Sequence, residues 1–280
     1  MSSRIAWKSR DARSPARDAA IAAQYLTPDD ATRCAAGYEG WRPAARYFRS
    51  RLHVVDATLR AGPRGRLLDV GCGPGMLVRY LLDTRPGEFQ ITGCDRFQAM
   101  IDAATARTKG YDDVELITAR IEEMPFPSKH FDVVVAMGVL EYADADHGLR
   151  EIARVLRPGG LAVVTMLNPL SPYRLVEWFV YWPLLRVLGR VERRLGVPRH
   201  AAAISGIRAI RLARLRRMMR ENGLTPQDAV YYDVTPLVPP LDRLVRRWSR
   251  QWRDHPERTV SRGAIRWLGT AYLVTARRED

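Results

Sequence analysis

Leu67-Leu68-Asp69-Val70-Gly71-Cys72-Gly73-Pro74-Gly75-Met76 runs an apolar strand into a carboxylate and then into glycines at alternate positions. Glycine lets the backbone turn sharply and lie against a ligand with no Cβ in the way, and Met76 to Leu82 then read as a helix whose N-terminus opens onto that ligand. The register of the glycines excludes one ligand class. A dinucleotide fingerprint, G-x-G-x-x-G, needs its third glycine where this chain has Met76.

About twenty residues on, Phe89-Gln90-Ile91-Thr92-Gly93-Cys94-Asp95 is a second short strand ending in an acid, a spacing at which a carboxylate can accept from both hydroxyls of a ribose. Further segments follow in order: Met124-Pro125-Phe126, then Phe131-Asp132-Val133-Val134-Val135-Ala136-Met137-Gly138-Val139-Leu140-Glu141-Tyr142, then Glu151-Ile152-Ala153-Arg154-Val155-Leu156-Arg157-Pro158-Gly159-Gly160. Across residues 65–169 this series resembles the class I S-adenosylmethionine-dependent methyltransferases, the D-x-G-x-G-x-G run being similar to their motif I and the core resembling small-molecule and quinone methylases.

The resemblance implies S-adenosyl-L-methionine as cofactor, with Asp69, Gly71, Cys72, Gly73 and Gly75 in its loop. It implies Asp95 on the ribose, Arg96 beside the adenine, Met100 packed on the ring, and Met137 and Gly138 in the floor under the methionine. Two positions depart from the family pattern. Arg120 stands where an Asp often holds the adenine amino group, so adenine recognition is expected from the Ile121 backbone amide and stacking. Tyr142 stands where the family often has His.

The chain of 280 residues is long enough to bury a full core. Its longest apolar stretch, Leu175 to Leu185, contains Glu177 and is too short for a membrane span. Met1 to Arg17 is charged and lacks the apolar region of a secretory signal. Cys34, Cys72 and Cys94 have no metal-ligand spacing and suit a reducing cytoplasm, the expected location. The net charge of +14 is uneven: residues 1–169 carry 23 Lys and Arg against 21 Asp and Glu, residues 170–280 carry 22 against 10. Such a basic third can attract nucleic acid, anionic lipid or an acidic substrate. Only three of the basic residues are Lys, so the arginines reflect a biased composition as much as a polyanionic partner.

The predicted fold is α/β: a doubly wound, seven-stranded Rossmann-like sheet with an antiparallel last strand and helical cap insertions. Strands are expected at Arg66–Val70, Gln90–Asp95, Val114–Thr118, Asp132–Met137 and Leu161–Leu167, then Ala229–Val234 and Ala271–Ala276, with the helix of the Glu151 segment stopped by Pro158-Gly159-Gly160. The domain reading is an N-terminal helical segment covering the site at 1–60, a cofactor-binding core at 61–169, a cap insertion at 170–206, a core helix and strand at 207–234, a second cap insertion at 235–268 and a final strand at 269–280. The helix Ile210 to Asn222 ends in Asn222-Gly223, an expected C-cap. Around it, Arg208, Arg211, Arg214 and Arg217 recur at steps of three, a basic face that serves either solvent or a membrane surface.

Trp178 and Trp182 share one helical face, as do Trp248 and Trp252. Each pair is either cap core or a wall for an aromatic or isoprenoid-like acceptor, with Tyr232 as a further substrate contact. Methyl transfer from a sulfonium needs orientation, desolvation and, for some acceptors, a base. The candidates are Tyr142 at the mouth of strand four, His147 just after it and His200 in the first insertion, while Tyr38 is placed to close over the methionine end. His53 and His130 read as structural. No metal cluster is evident.

The expected activity is methylation of an O or C centre of a small organic acceptor, apolar or anionic, of the specialised-metabolite kind. The alternatives are a quinone, isoprenoid or lipid-like acceptor met at a membrane surface, an RNA or DNA methyltransferase, and a cofactor-binding protein without catalysis. Nucleic-acid amino methylation is disfavoured because Met137-Gly138-Val139-Leu140 replaces the Asn/Asp-Pro-Pro-aromatic step after strand four.

Overall fold

The computed structural model describes residues 15–38, 43–181, 183, 184, 187, 207–234 and 268–280. Its sheet consists of β1 (Gly65–Val70), β2 (Phe89–Asp95), β3 (Val114–Thr118), β4 (Phe131–Met137), β5 (Leu156–Leu167), β6 (Leu224–Val234) and β7 (Gly269–Arg278), in the order β3-β2-β1-β4-β5-β7-β6. Strands β1 to β5 pair in parallel, and β7 runs antiparallel to both β5 and β6. The doubly wound expectation is met.

The central strands β1, β4 and β5 are buried on both faces over most of their length, which is why they are near-continuous apolar runs rather than alternating ones. The two-residue period still sorts each strand between two cores. Leu68, Val70, Val134, Ala136, Ala162 and Val164 meet α6 (Ala145–Val155) and α8 (Leu212–Glu221) through Leu149, Ile152, Leu215 and Met219. Leu67, Val133, Val135 and Val163 meet α3 (Pro43–Arg60) and α4 (Met76–Thr84) through Val55, Leu59, Leu77 and Leu81. A third, small cluster joins Ile21 of α1 (Pro15–Tyr25) and Ala31 of α2 (Pro28–Ala36) to Phe97 and to Met100 of α5 (Gln98–Arg107). The N-terminal helices therefore lie over the end of β2. Helix α2 starts on a capping box in which the Thr27 side chain accepts from Asp30 N and Asp30 accepts from Thr27 N, with Pro28 in the first turn.

The sheet order reverses between β1 and β4, and ligands of open α/β sheets bind in the crevice at that point, beyond the carboxyl ends of the strands. The loops after β1, β2 and β4 all open there.

Two local expectations are corrected. Helix α6 ends at Val155, not at Pro158, because Leu156 is already extended (φ −67°, ψ 141°), and β5 begins there rather than at Leu161. Arg157-Pro158-Gly159-Gly160 instead forms an irregularity between the pairs Phe131–Leu156 and Val133–Leu161, a place where proline's missing N–H costs no ladder bond. The helix of the 207–220 region starts only at Leu212, so Arg208 and Arg211 precede it. Ahead of the helix, Arg208 N donates to the Glu141 carbonyl (2.9 Å), the Tyr272 hydroxyl donates to the Ile210 carbonyl (2.6 Å), and Arg211 is extended (φ −65°, ψ 140°). The C-cap is as expected, with Gly223 left-handed at φ 74° and Asn222 Nδ2 donating to the Met218 carbonyl at 2.9 Å. Trp182, His200, Trp248 and Trp252, and most of both cap insertions, lie outside the described residues.

Candidate active site

The loop after β1 needs its glycines for two different reasons. Gly71 and Gly73 both adopt the left-handed region, at φ 65° and 53°. A Cβ on Gly71 would come within 2.3 Å of Val139 Cγ2, whereas one on Gly73 would meet nothing within 4 Å. The first glycine allows the loop to pack on β4's end; the second leaves space that a ligand can fill. Gly75, at φ 75°, begins α4 and abuts Ala104 of α5 rather than the cavity.

Asp95 locks this loop to the next one. Its Oδ2 accepts from Gly73 N and its Oδ1 from Phe97 N, each at 3.0 Å. Burial pushes its carboxyl above the usual range, opposed by those two amides and by Arg96. Asp69, at the end of β1, is fully buried, and neither carboxylate oxygen has a hydrogen-bond partner among the described residues. Burial, then the nearby Asp95 charge, push its carboxyl up to about 8, while Arg51 pulls it down.

One cavity of about 310 Å³ opens from this loop. Gly71, Cys72, Gly73, Asp95, Arg96, Met100, Arg120, Ile121, Met137, Gly138, Tyr142 and Tyr38 all line it, so the structure brings these expected residues together. Asp69 and Gly75 stand behind the lining. Helix α1 crosses above: Tyr25 stacks on Phe97 (5.9 Å between centroids) and its hydroxyl donates to that of Tyr142 (3.1 Å).

The other end of the cavity is formed by residues to which no motif in the sequence assigns a site role. On α3, Tyr47, Phe48 and Arg51 lie at three- and four-residue spacings and present one face. The Arg51 guanidinium stands over the rings of Tyr47 (5.3 Å) and Phe48 (5.0 Å), donates to the Tyr38 hydroxyl (3.0 Å), and occupies the space a Cβ on Gly138 would take. Arg174 of α7 (Pro172–Val176) enters from the opposite side and pairs with Glu177 at 2.5 Å. Between them Glu141 is 4% exposed, with Oε1 accepting from Leu167 N at 2.9 Å. Burial holds its carboxyl up at about 7, although Arg51 and Arg174 both act to lower it.

Three expected contacts fall elsewhere. His147 is half exposed in the first turn of α6, its Nδ1 3.2 Å from Asp144, and does not line the cavity, because the Asp144 N-cap turns it outward. Tyr232 is fully buried one layer behind, its ring 5.9 Å from that of Tyr47. Trp178 lies in the π-helical turn Glu177–Tyr181 and is not part of the lining; Arg174, one turn earlier, takes that place. Beside Arg174 an apolar row is left exposed, Phe179 at 74% and Val180 at 56%. No helix among the described residues is long and apolar enough to cross a membrane, and no group of His, Cys, Asp and Glu there could hold a metal.

Comparison with known proteins agrees with this geometry. A family model described as a methyltransferase domain matches residues 68–164, from β1 to β5. The chain is 42% identical over 105 residues to a ubiquinone biosynthesis O-methyltransferase of Bradyrhizobium sp. (strain ORS 278), covering 37% of this chain and 40% of that one. It is 31% identical over 144 residues to the ubiquinone/menaquinone biosynthesis C-methyltransferase UbiE of Geobacter sulfurreducens, covering 49% of this chain and 56% of that one. The chain thus spans about half the length of these curated relatives. Among solved structures, a Haemonchus contortus phosphoethanolamine N-methyltransferase 2, in complex with phosphomonomethylethanolamine and S-adenosylhomocysteine, aligns with a TM-score of 0.59 at 16% identity over 94% of this chain and 61% of that one. The [4+2]-cyclase SpnF aligns with a TM-score of 0.55 at 22% identity over 87% and 84%. These two likenesses speak for the fold alone, since one of the neighbours is named for a different reaction. The matched model, which contains the glycine loop and the Asp95 clasp, marks residues 68–164 as a methyltransferase domain of the S-adenosyl-L-methionine-dependent kind.

Proposed function

We propose that this protein transfers a methyl group to an oxygen or carbon centre of a small organic acceptor. The observation that carries the reading is the single cavity that runs from the glycine loop and Asp95 to the buried group of Arg51, Glu141 and Arg174. Its two ends suit a donor and an acceptor held in one dry space, which is what an in-line displacement requires.

The residues present fit the donor. Open space at Gly73, two unsatisfied oxygens on Asp69 and the Asp95 carboxylate suit a nucleoside bearing a charged amino-acid tail. In this reading Asp95 accepts from the ribose hydroxyls, Phe97, Met100 and Ile121 enclose the adenine, and Tyr38 and Gly138 meet the methionine end. When bound, the cofactor supplies an electrophilic methyl group on a sulfonium. The N-terminal helices α1 and α2 exclude water, and Tyr142 closes the floor. Incubation with methyl-labelled cofactor and a metabolite extract, read by mass spectrometry, tests the proposal. A labelled small molecule is expected; cofactor binding with no incorporation would leave a non-catalytic binding protein.

A lipid-like acceptor met at a membrane surface is a second reading, favoured by the exposed row Leu175, Val176, Phe179 and Val180 directly beside the cavity residue Arg174. Quinone biosynthesis is named in the relatives' descriptions, which agrees with an apolar acceptor. Cosedimentation with anionic vesicles, reduced in Phe179→Asp, would support it.

A further inference from the structure

Resting on the methyltransferase reading above, we infer that Glu141 takes the proton from the methyl acceptor, and that this acceptor is a phenolic or enolic hydroxyl lodged between Arg51 and Arg174. Glu141 lines the cavity and is fixed from both sides, its Oε1 accepting from Leu167 N and its own carbonyl from Arg208 N, each at 2.9 Å.

Among the described residues, the charged and titratable groups around it include Tyr25 of α1, Tyr47 and Arg51 of α3, the adjacent Tyr142, Arg174 of α7, Tyr232 of β6 and Tyr272 of β7. Burial pushes every one of these tyrosines upward, Tyr47 to about 12, so they stay protonated near neutral pH and none serves as a base. Glu122, also in the lining, is held ionised by the Asp144 amide and Arg120, and Asp95 is engaged by two loop amides. Among the described residues of the cavity, Glu141, held at about 7, is the one whose proton affinity suits a base.

The same cluster selects the acceptor. The buried guanidinium of Arg51 and the half-buried one of Arg174 repel an ammonium ion and stabilise an oxyanion as it forms, which favours a hydroxyl over an amine. A carboxylate titrating near neutrality can draw a proton from a phenol or enol, whose acidity is closer to its own than that of an alkyl alcohol. Tyr47, Phe48, Leu167 and Ile207 supply flat and apolar walls for a ring. Glu141 takes the hydroxyl proton and leaves the O–H electron pair on oxygen for the new bond to the methyl carbon. The pair of the broken sulfur–methyl bond stays on sulfur, and the Glu141 proton then passes to solvent.

The test compares wild type with Glu141→Gln. Calorimetry of S-adenosylhomocysteine should give affinities within about two-fold of one another. Methyl transfer is then followed on a panel of naphthols, weakly acidic, and 4-hydroxycoumarins, already ionised at neutral pH. Glu141→Gln is expected to lose about 100-fold or more on the naphthols, together with the rise of rate towards neutral pH, and to keep most activity on the hydroxycoumarins. Equal loss on both groups, or none on either, overturns the role of Glu141. Wild type that binds cofactor but labels no member of the panel overturns the acceptor class. Failure of wild type to bind cofactor overturns the underlying methyltransferase reading instead. Should Glu141→Gln not fold, a carbon-13 carboxyl titration of the wild-type protein, assigned with Glu141→Asp, decides: a midpoint near 7 supports the role, and one in the ordinary carboxylate range overturns it.

Discussion

Asp95 binds two loops with one side chain, so its removal acts twice. Asp95→Ala withdraws the acceptor for the ribose and frees Gly73 N and Phe97 N from the cavity wall. Charge-assisted hydrogen bonds are worth roughly 1.5–3 kcal/mol each, so calorimetry is expected to show cofactor affinity falling by about ten- to a hundred-fold. Asp95→Ala binding as tightly as wild type would sink the assignment. The glycines separate in the same way. Gly71→Ala, with its methyl 2.3 Å from Val139, is expected to lower stability by more than the ~1–2 kcal/mol of the left-handed backbone alone. Gly73→Ala meets no protein atom and should pay only the backbone term while blocking the cofactor. Denaturant unfolding and calorimetry on the pair distinguish packing from ligand space. These residues were legible in the sequence because a glycine spacing and an acid at a strand end have local causes. Glu141 and Arg51 were not assigned site roles, since their proximity arises from the packing of α3 and α7 on the sheet, which no local spacing records.

Among the elements, α3 carries the acceptor end and is tied to β6. Arg46 Nε lies 2.7 Å from Asp233 Oδ1 of β6, with side chains 14% and 5% exposed. Removing one partner of a fully buried pair costs about 3–5 kcal/mol, and less here because Arg46 is only partly buried and Thr270 also donates to Asp233. Arg46→Met is therefore expected to destabilise the fold by about 1–3 kcal/mol in urea unfolding and to slow methyl transfer through the displaced Arg51. Gly223→Ala, at φ 74° on the far end of α8, should cost ~1–2 kcal/mol and leave affinity unchanged. The parallel strands were read from sequence to within a few residues at most boundaries, because β1, β2 and β4 are apolar runs closed by glycine or acid. The helix start at Leu212 and the strand start at Leu156 were misplaced for one reason: contacts from Tyr272, Glu141 and β4 hold the chain out of the helix that the local pattern favours.

On the scale of the whole molecule, buried carboxyls set how stability responds to pH. Asp69 and Glu141 titrate higher in the folded chain, at about 8 and about 7, than their ordinary values of 3.8 and 4.5. Between those values the folded state binds more protons than the unfolded one, so stability falls as pH rises through the window. The carboxyls with lowered values, such as Asp30, Asp83 and Glu151, act below their ordinary range and do not compete there. Melting temperature is expected to drop between about pH 5 and pH 8, and Asp69→Asn and Glu141→Gln should each flatten that slope; an unaltered slope in both variants would refute the attribution. The position of β7 between β5 and β6 carries a consequence for biosynthesis. Strands made early cannot complete the sheet: β5 has no strand neighbour on one side and β6 no strand partner at all until residues 269–278 emerge from the ribosome. A nascent chain thus exposes the open edge of β5 from the synthesis of residue 167 onward, joined after residue 234 by β6, and the clasp between them arrives only with the segment synthesised last of the seven.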